Sequence, residues 1–395
     1  MSQISHIDPA AADALRSYLD HSGFSGIYKF IVGANLYTVL PSVINTSSVG
    51  QVTGFFDEVL GDDPDVTLLR CLIAGETVER ERLDGRQSEL ADGLIEGGIL
   101  QGRDGRIGPT TFQLISAFGR DLLIDRRINF GGGIHEIYIG FDSYAMVHHI
   151  QQSRLLRGGR AVDLCCGSGI AALYMSQFCD SVVGTDIGEA PLALSRFNRR
   201  LNGCDDRVEI REQRLEATLE GPERFDVLTC NPPFVAYPPG LNGTLYSKGP
   251  DIDGQGYVRQ IIEALPRVLN PGGAAYLVTD LVGDAARPHF MAELDVYARK
   301  LGLQIDVYVD NRIEAEVQVE PMAGYLHGLN PEISVEDLRR RFRAFQADDL
   351  RASHYHMSTI RLVTDAPAPR LRMLRRFPVP HTPAEPKWPP ILEFA

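Results

Sequence analysis

AVDLCCGSG, residues 161–169, is an apolar run that breaks into a glycine-rich turn. IAALYMSQF, residues 170–178, follows with apolar side chains at three-to-four spacing, the period of a helix. A strand, a turn and a helix are expected here. Asp163 ends the strand. Gly167 and Gly169 occupy the turn, where the lack of a side chain lets backbone pass close to a ligand. A second strand, SVVGTDI at 181–187, ends on Asp186 about 20 residues after the glycines, where an acid can accept hydrogen bonds from ribose hydroxyls. Ala172 stands where a dinucleotide-binding turn carries its third glycine. With no pyrophosphate to cradle, these residues suit a ribose-bearing cofactor without a diphosphate.

Strand-like and helix-like segments alternate on to residue 313. APLALSRFNRRLNG (190–203) reads as a helix stopped by Gly203, and RVEIREQ (207–213) and FDVLTC (225–230) read as strands. YVRQIIEALPRVLNPGG (257–273) reads as a helix closed by Pro271 and Gly272. AAYLVTDLV (274–282) and LQIDVYVDN (303–311) read as strands flanking the helix PHFMAELDVYARKLG (288–302). Such alternation implies an α/β fold with a parallel sheet covered by helices on both faces.

Ahead of this unit the texture changes. DVTLLRCLIAG (65–75), SELADGLIEGGIL (88–100) and GRDGRIGPTTFQLISAFGRDLLI (102–124) suggest helix, helix and a small hairpin turning at GRDGRI. That order fits a winged-helix-like α+β module near residues 60–127. The first 55 residues read as helical, then loop-like. After residue 320 comes a Glu- and Arg-rich helical stretch, then a strand, HYHMSTIRLV (354–363). Three regions are expected: 1–127, 128–365, and a proline-rich, extended tail at 366–395.

The net charge of −13 argues against tight, unspecific binding to nucleic acid, which needs phosphate neutralisation. None of the spacings among Cys71, Cys165, Cys166, Cys179, Cys204 and Cys230 is a zinc pattern, and no metal is expected. No apolar run is long enough to span a bilayer, and the first twenty residues lack the pattern of a secretory signal, so a cytoplasmic location is expected.

DLCCGSG, GTDIG and CNPPF occur in that order within residues 135–313. The set resembles the class I S-adenosylmethionine-dependent methyltransferases. The resemblance implies a Rossmann-like, mostly parallel seven-stranded sheet. It implies S-adenosylmethionine as cofactor, held by Asp163, Cys165, Gly167, Gly169, Asp186, Ile187, Gln213 and Asn231. In that family Asn-Pro-Pro-(Phe/Tyr) marks the branch that methylates nitrogen on planar groups. The branch includes the glutamine methyltransferases of release factors and ribosomal proteins, the amino-methyltransferases of adenine and guanine, and the small methyltransferase domains. GPDIDGQGYVRQIIEALPRVLNPGG (249–273) is similar to the glycine-flanked helix that follows this motif. YIGFDSYAMVHHI (138–150) resembles the segment closing over the cofactor's amino-acid end. There are two departures. Cys165 replaces the first glycine of the commonest turn, and Arg214 falls where an acid usually meets the adenine amine, leaving Gln213 or backbone groups for that contact.

Within TCNPPFVAYPPG (229–240), the resemblance gives Asn231, Pro232 and Phe234 a chemical role. An amide, guanidino or aromatic amine nitrogen has a delocalised lone pair and attacks poorly. Acceptors placed on its N–H groups favour rotation of the lone pair out of the plane. The Asn231 side-chain oxygen and the Pro232 carbonyl can be those acceptors, and Phe234 can stack on the planar group. The prolines fix φ and stiffen the elbow, so the chemistry rests on positioning and electrostatics. Phe141, Asp142, Ser143 and Tyr237 are expected on the acceptor side. Glu316 and Glu320, with Glu314 and Asp310, lie near the carboxyl end of the sixth strand, where they read either as a solvated edge or as an acidic wall for a cationic acceptor. His148 and His149 read as helix-surface residues, and His354 and His356, sharing one face of the last strand, as satisfied or exposed strand histidines rather than a metal pair.

Two acceptor classes compete. The module between Leu60 and Arg127 holds 9 Arg against 13 Asp plus Glu, whereas duplex-reading wings are basic. An acidic module suits homodimerisation or a substrate lid. Residues 338–376 hold 10 Arg and 3 Asp, which could track a phosphate backbone or line the solvated side of a helix. The overall charge favours a small or amino-acid-like acceptor over nucleic acid, with no membrane partner.

Overall fold

The computed structural model describes residues 11–34, 49–61, 63–126, 137, 139–153, 158–244, 247–365 and 368–375. The chain begins with helices α1 (Ala11–Ser22), α2 (Phe24–Ala34) and α3 (Val49–Phe55). Helical turns run on to Ala74, then come β1 (Val78–Glu79), α4 (Gly85–Glu96), β2 (Leu100–Arg103) and β3 (Arg106–Pro109). Asp84 caps α4, its carboxylate accepting from Gln87 N at 2.8 Å. The three strands pair antiparallel in the order β1-β3-β2, and the hairpin turns at Asp104–Gly105, both at positive φ. This is the hairpin expected at GRDGRI. A second hairpin, β4 (Phe112–Ala117) and β5 (Arg120–Asp125), turns at Phe118–Gly119 and was hidden in the same apolar stretch.

Helix α5 (Phe141–Ser153) leads into the main sheet. Its elements are β6 (Arg160–Leu164), α6 (Ile170–Met175), β7 (Ser181–Asp186), α7 (Glu189–Leu201), β8 (Val208–Glu212), α8 (Leu215–Glu220) and β9 (Phe225–Cys230). They continue as α9 (Gly256–Val268), β10 (Leu269–Gly283), α10 (Met291–Leu301), β11 (Gln304–Glu314), α11 (Val319–Leu329), α12 (Val335–Ala344), β12 (His354–Val363) and β13 (Arg370–Arg375). The strand order is β13-β11-β12-β10-β9-β6-β7-β8. Only β12 runs antiparallel to its neighbours. This is the expected Rossmann-like class I arrangement, carried among the described residues to eight strands rather than seven. Strands β6, β7 and β9 are apolar on both faces because helices cover both sides.

Two boundaries differ from the sequence reading. Helix α9 stops at Val268, because Pro271 disfavours helical backbone at Asn270 and the chain bulges into β10 between Leu269 and Ala274. The region 366–395 is not all tail: Arg370–Arg375 adds β13 beside β11. Buried Asp306 on β11 explains it. Its carboxylate accepts from Arg372 Nε at 2.7 Å and Arg361 Nη1 at 3.1 Å, with Arg370 Nη2 at 3.7 Å. Residues 376–395, the 127/128 boundary, and the loop-like part of the first 55 residues at 35–48 lie outside the described residues.

Among the described residues three apolar cores organise the fold. One joins α1, α2, α4, β4 and β5 to α5, α6 and α7 on one sheet face, so the N-terminal module shares a core with the sheet. The second packs α9 and α10 on the opposite face. The third gathers α11 and α12 against Ala236, Tyr237 and Tyr355, forming a lobe over the elbow that follows β9. No helix of the described residues is long and apolar enough to cross a membrane.

Candidate active site

A cavity of about 420 Å³ opens at the carboxyl ends of β6, β7, β9 and β10. Asp163, at the end of β6, is 2 % exposed; its carboxylate accepts from Thr229 Oγ1 at 2.7 Å and Ala172 N at 3.1 Å. It thereby ties β6 to β9 and to the first turn of α6. Burial raises its carboxyl to about 7, against the pull of those two bonds. The turn beyond has left-handed backbone at Cys165 (φ 54°), Gly167 (φ 54°) and Gly169 (φ 83°). The glycines adopt it without strain, whereas Cys165 carries a Cβ where the commoner turn has glycine. Cys165 is also the one cysteine of six that is not buried, and it lines the cavity.

Asp186 ends β7 and accepts three backbone bonds: Ile187 N at 2.8 Å and Gly188 N at 3.0 Å on Oδ1, and Gly167 N at 3.0 Å on Oδ2. Burial raises its carboxyl, opposed by those same N–H groups. A carboxylate has roughly four acceptor sites, so Asp186 retains capacity for a hydroxyl while bracing the turn. Ile187, 40 % exposed, sits on the rim. Gln213 lines the same end, its N–H bonded to Asp186 O at 2.9 Å. Arg214 lines it too, leaning towards Glu216 at 3.4 Å. Asp163, Cys165, Gly167, Asp186, Ile187, Gln213 and Asn231 all meet the cavity. Gly169 instead caps α6 and lies 3.4 Å, measured from an ideal Cβ, from Ser195 Cβ.

The elbow after β9 supplies Asn231 through Tyr237 to the wall. Asn231 Nδ2 donates to Asp142 Oδ2 at 3.0 Å and Ser143 Oγ at 3.2 Å. A carboxylate only accepts, so the amide orientation is fixed by its partner. Asp142 and Ser143, both buried in the first turn of α5, therefore position Asn231 from behind. Phe141, beside them, does not line the cavity. Loop 247–254 holds the elbow: Val235 N donates to Ser247 O at 2.8 Å and Gly249 N to Val235 O at 3.1 Å. At Gly254 (φ 76°) an added Cβ would fall 2.0 Å from Phe234 O, so only glycine permits that approach.

The far wall comes from the α11–α12 lobe and from β10 and β12. Met322 and Phe342 give it an apolar surface. Four hydroxyls form a cluster: Tyr237 Oη and Ser247 Oγ at 2.5 Å, Thr244 Oγ1 and Ser247 Oγ at 2.7 Å, and Tyr325 Oη 3.2 Å from both Ser247 and Thr244. Asp280, near the end of β10, adds a carboxylate that the strand pattern AAYLVTDLV did not reveal as a site residue.

Glu316 and Glu320 are not brought to the cavity. Both are exposed and paired on the outside of the lobe, Glu316 with Arg343 at 2.6 Å and Glu320 with Arg339 at 2.5 Å. The residues expected to make an acidic wall thus form a surface ion-pair row from the turn before α11 and α11 itself to α12, and the lobe turns its apolar side inward. Asp310 is also elsewhere. Buried His149 is not a surface residue: it stacks on Tyr308 at 4.2 Å and bonds Asp310 Oδ1 at 2.7 Å, fastening α5 to β11. His356 is buried against Asp284 O at 2.8 Å, and burial lowers it to about 4. Among the described residues no group of three or more His, Cys, Asp or Glu side chains is placed to hold a metal ion.

Residues 138–287 match the methyltransferase small domain. Two curated relatives are named ubiquinone biosynthesis O-methyltransferase. The one from Pseudomonas entomophila is 41% identical over 85 residues, 21% of this chain and 36% of the relative. The one from Pseudomonas aeruginosa is 33% identical over 135 residues, 34% of this chain and 49% of the relative. The chain thus spans half or less of these relatives' length. A solved ribosomal protein L11 methylase from Lactobacillus delbrueckii subsp. bulgaricus is 17% identical over 45% of this chain and 75% of its own, with a TM-score of 0.32. The matched domain is that of S-adenosylmethionine-dependent methyltransferases, and S-adenosylmethionine is its cofactor.

Proposed function

We propose that the chain is an S-adenosylmethionine-dependent N-methyltransferase of the branch marked by Asn-Pro-Pro-Phe, acting on a planar nitrogen of a small or amino-acid-like acceptor. The observation that carries this reading is the lock on Asn231. Its Nδ2 is held by Asp142 and Ser143, which leaves Oδ1 as the face of the amide able to meet a ligand. Oδ1 can only accept, and an accepting group on an acceptor's N–H favours exposure of a nitrogen lone pair. Bound in the cavity, S-adenosylmethionine supplies an electrophilic methyl group. Asp163 and Asp186 hold the turn that would seat it. Pro232 and Pro233 stiffen the elbow, and Phe234 offers a face for a planar group.

The small-acceptor reading is supported by how the arginines are used. Arg339, Arg340 and Arg343 pair with Glu320, Asp337 and Glu316, while Arg361, Arg370 and Arg372 converge on Asp306. We read residues 60–127 as a winged-helix-like module whose acidic surface suits bracing and homodimer contacts more than a duplex. Among the described residues it contributes none to the cavity, which disfavours a lid. Methylation of RNA, DNA or a protein glutamine is the alternative.

The test is transfer from labelled cofactor to pooled small amines and amides, to RNA and to ribosomal protein, with the Asn231→Ala variant alongside. Label on nitrogen is expected, with transfer reduced about 100-fold in the variant and calorimetric affinity for S-adenosylhomocysteine retained. Label on a phenolic oxygen, or full turnover by Asn231→Ala, overturns the reading.

A further inference from the structure

Among the described residues Asp280 is the one carboxylate of the far wall, and the binding of the cofactor gives it no task. On β10 it pairs across with Met357 of β12, which also lines the cavity. Its Oδ1 is buried without a hydrogen-bond partner among the described residues. The groups acting on it are Asp142, from α5, and Tyr355, from β12. Neither supplies positive charge. Arg214 is the cation among the described lining residues, and it lies at the other end, next to Gln213 and beyond Asp186. A carboxylate in a mostly apolar wall is costly unless something meets it. Here the partner has to come from the cavity.

We propose that Asp280 receives an ionisable N–H of the methyl acceptor and takes the proton that the nitrogen sheds, so that the acceptor is an amine, amidine or guanidine on an apolar or aromatic body. This rests on the N-methyltransferase reading above. The bond changes balance. The cationic nitrogen first gives a proton to the Asp280 carboxylate, and the electron pair of the broken N–H bond stays on nitrogen. That lone pair then forms the new N–C bond while the C–S pair stays on sulfur, and the proton on Asp280 passes to solvent. Met322, Phe342 and Met357 would take the apolar body, and the Tyr237–Thr244–Ser247–Tyr325 hydroxyls a polar end. Burial and the nearby Asp142 raise the Asp280 carboxyl to about 7, so it exchanges a proton readily near neutral pH. The cationic acceptor anticipated from Glu316 and Glu320 thus finds its counter-charge at a different residue.

Benzamidine, a planar aromatic cation, is the probe. It is titrated calorimetrically into full-length protein with and without S-adenosylhomocysteine, at pH 8 and pH 5.5, for the wild type and Asp280→Asn. Binding at pH 8 is expected to weaken about ten- to a hundredfold in the variant, and to weaken similarly in the wild type at pH 5.5. Asp280→Asn should also raise the melting temperature at pH 8, whereas a structural carboxylate would lower it on removal. Equal benzamidine binding by both proteins, or none by the wild type, overturns the proposal. So does a lowered melting temperature together with pH-independent binding. Should the variant not fold, the wild type's own pH dependence decides. Failure to bind S-adenosylhomocysteine would instead strike at the methyltransferase reading, since the benzamidine arm without it remains readable.

Discussion

Leu123 and Asn198 exchange two hydrogen bonds: Leu123 N donates to Asn198 Oδ1 at 2.8 Å, and Asn198 Nδ2 donates to Leu123 O at 3.0 Å. The same Nδ2 donates to Ser168 O at 2.9 Å, inside the cofactor turn. One helical turn on, Asn202 repeats the pattern with Asp121, at 3.0 and 2.7 Å. Spacing by four puts both amides on one face of α7, where they satisfy the open edge of β5. The N-terminal module is therefore joined to the cofactor turn through a single side chain.

Asn198→Leu keeps the volume and removes every one of these bonds. The Leu123 N–H and carbonyl and the Ser168 carbonyl would be left buried without these partners. The expected cost is about 2–5 kcal/mol in urea unfolding, with weaker cofactor binding because Ser168 loses its anchor. A variant of wild-type stability and wild-type affinity would show that the module and the turn are uncoupled.

Asp142 acts through Asn231. Asp142→Ala frees the amide to rotate, so kcat should fall about 10- to 100-fold while affinity for S-adenosylhomocysteine stays within a factor of a few. Combined with Asn231→Ala it should add little, because both changes remove one arrangement. Additive losses would mean that Asp142 meets the acceptor independently.

The cofactor end was legible because its signals are local. Glycines at left-handed positions and aspartates at strand ends carry their geometry in sequence, and the order of motifs set the topology. The acceptor end is assembled from distant segments. Asp280 looks like one more residue of the apolar run AAYLVTDLV, and only the approach of α5 and β12 makes its carboxylate a feature of a cavity. RLRMLR (370–375) reads as a solvated tail until buried Asp306 is seen to hold it as a strand. Glu316 and Glu320 misled because the charge of a short amphipathic helix does not say which face it buries. Arg339 and Arg343, on the next helix α12, claim both.

Cys165 holds left-handed backbone that a Cβ disfavours by roughly 1–2 kcal/mol. Cys165→Gly relieves that strain but loosens the unfolded chain, so a net gain of up to about 1 kcal/mol is expected, with cofactor binding kept. In the wild type, S-adenosylmethionine should slow alkylation of this thiol, since it lines the cavity while the other five are buried. Destabilisation by glycine, or labelling unaffected by the cofactor, would contradict the placement of this turn.

Groups shifted by the fold set the pH dependence of stability, and Asp186 and Asp121, both raised by burial, act in the same sense as the two aspartates that follow. Asp163 and Asp280 are raised from 3.8 to about 7, and His356 is lowered from 6.5 to about 4. Between pH 4 and 6.5 the folded chain keeps two carboxyl protons that the unfolded chain releases. Over the same range the unfolded chain holds one imidazolium proton that the folded chain does not. For these three groups the net is one proton released on unfolding, and raised Asp186 and Asp121 add to it, so stability should fall as pH rises through this window. Between 6.5 and 7 the histidine no longer opposes and the slope steepens; above about 7.5 these groups contribute no further change. A three-unit carboxyl shift corresponds to at most about 4 kcal/mol at high pH. Asp280→Asn removes one of the two penalties, so its advantage over the wild type should be largest at pH 8 and vanish near pH 3.5. Guanidinium unfolding at pH 4, 6 and 8 reads this directly. A wild type that gains stability steadily from pH 4 to 8, or a variant whose advantage is largest in acid, would show that Asp280 is ionised at low pH and is matched by a positive partner within the fold.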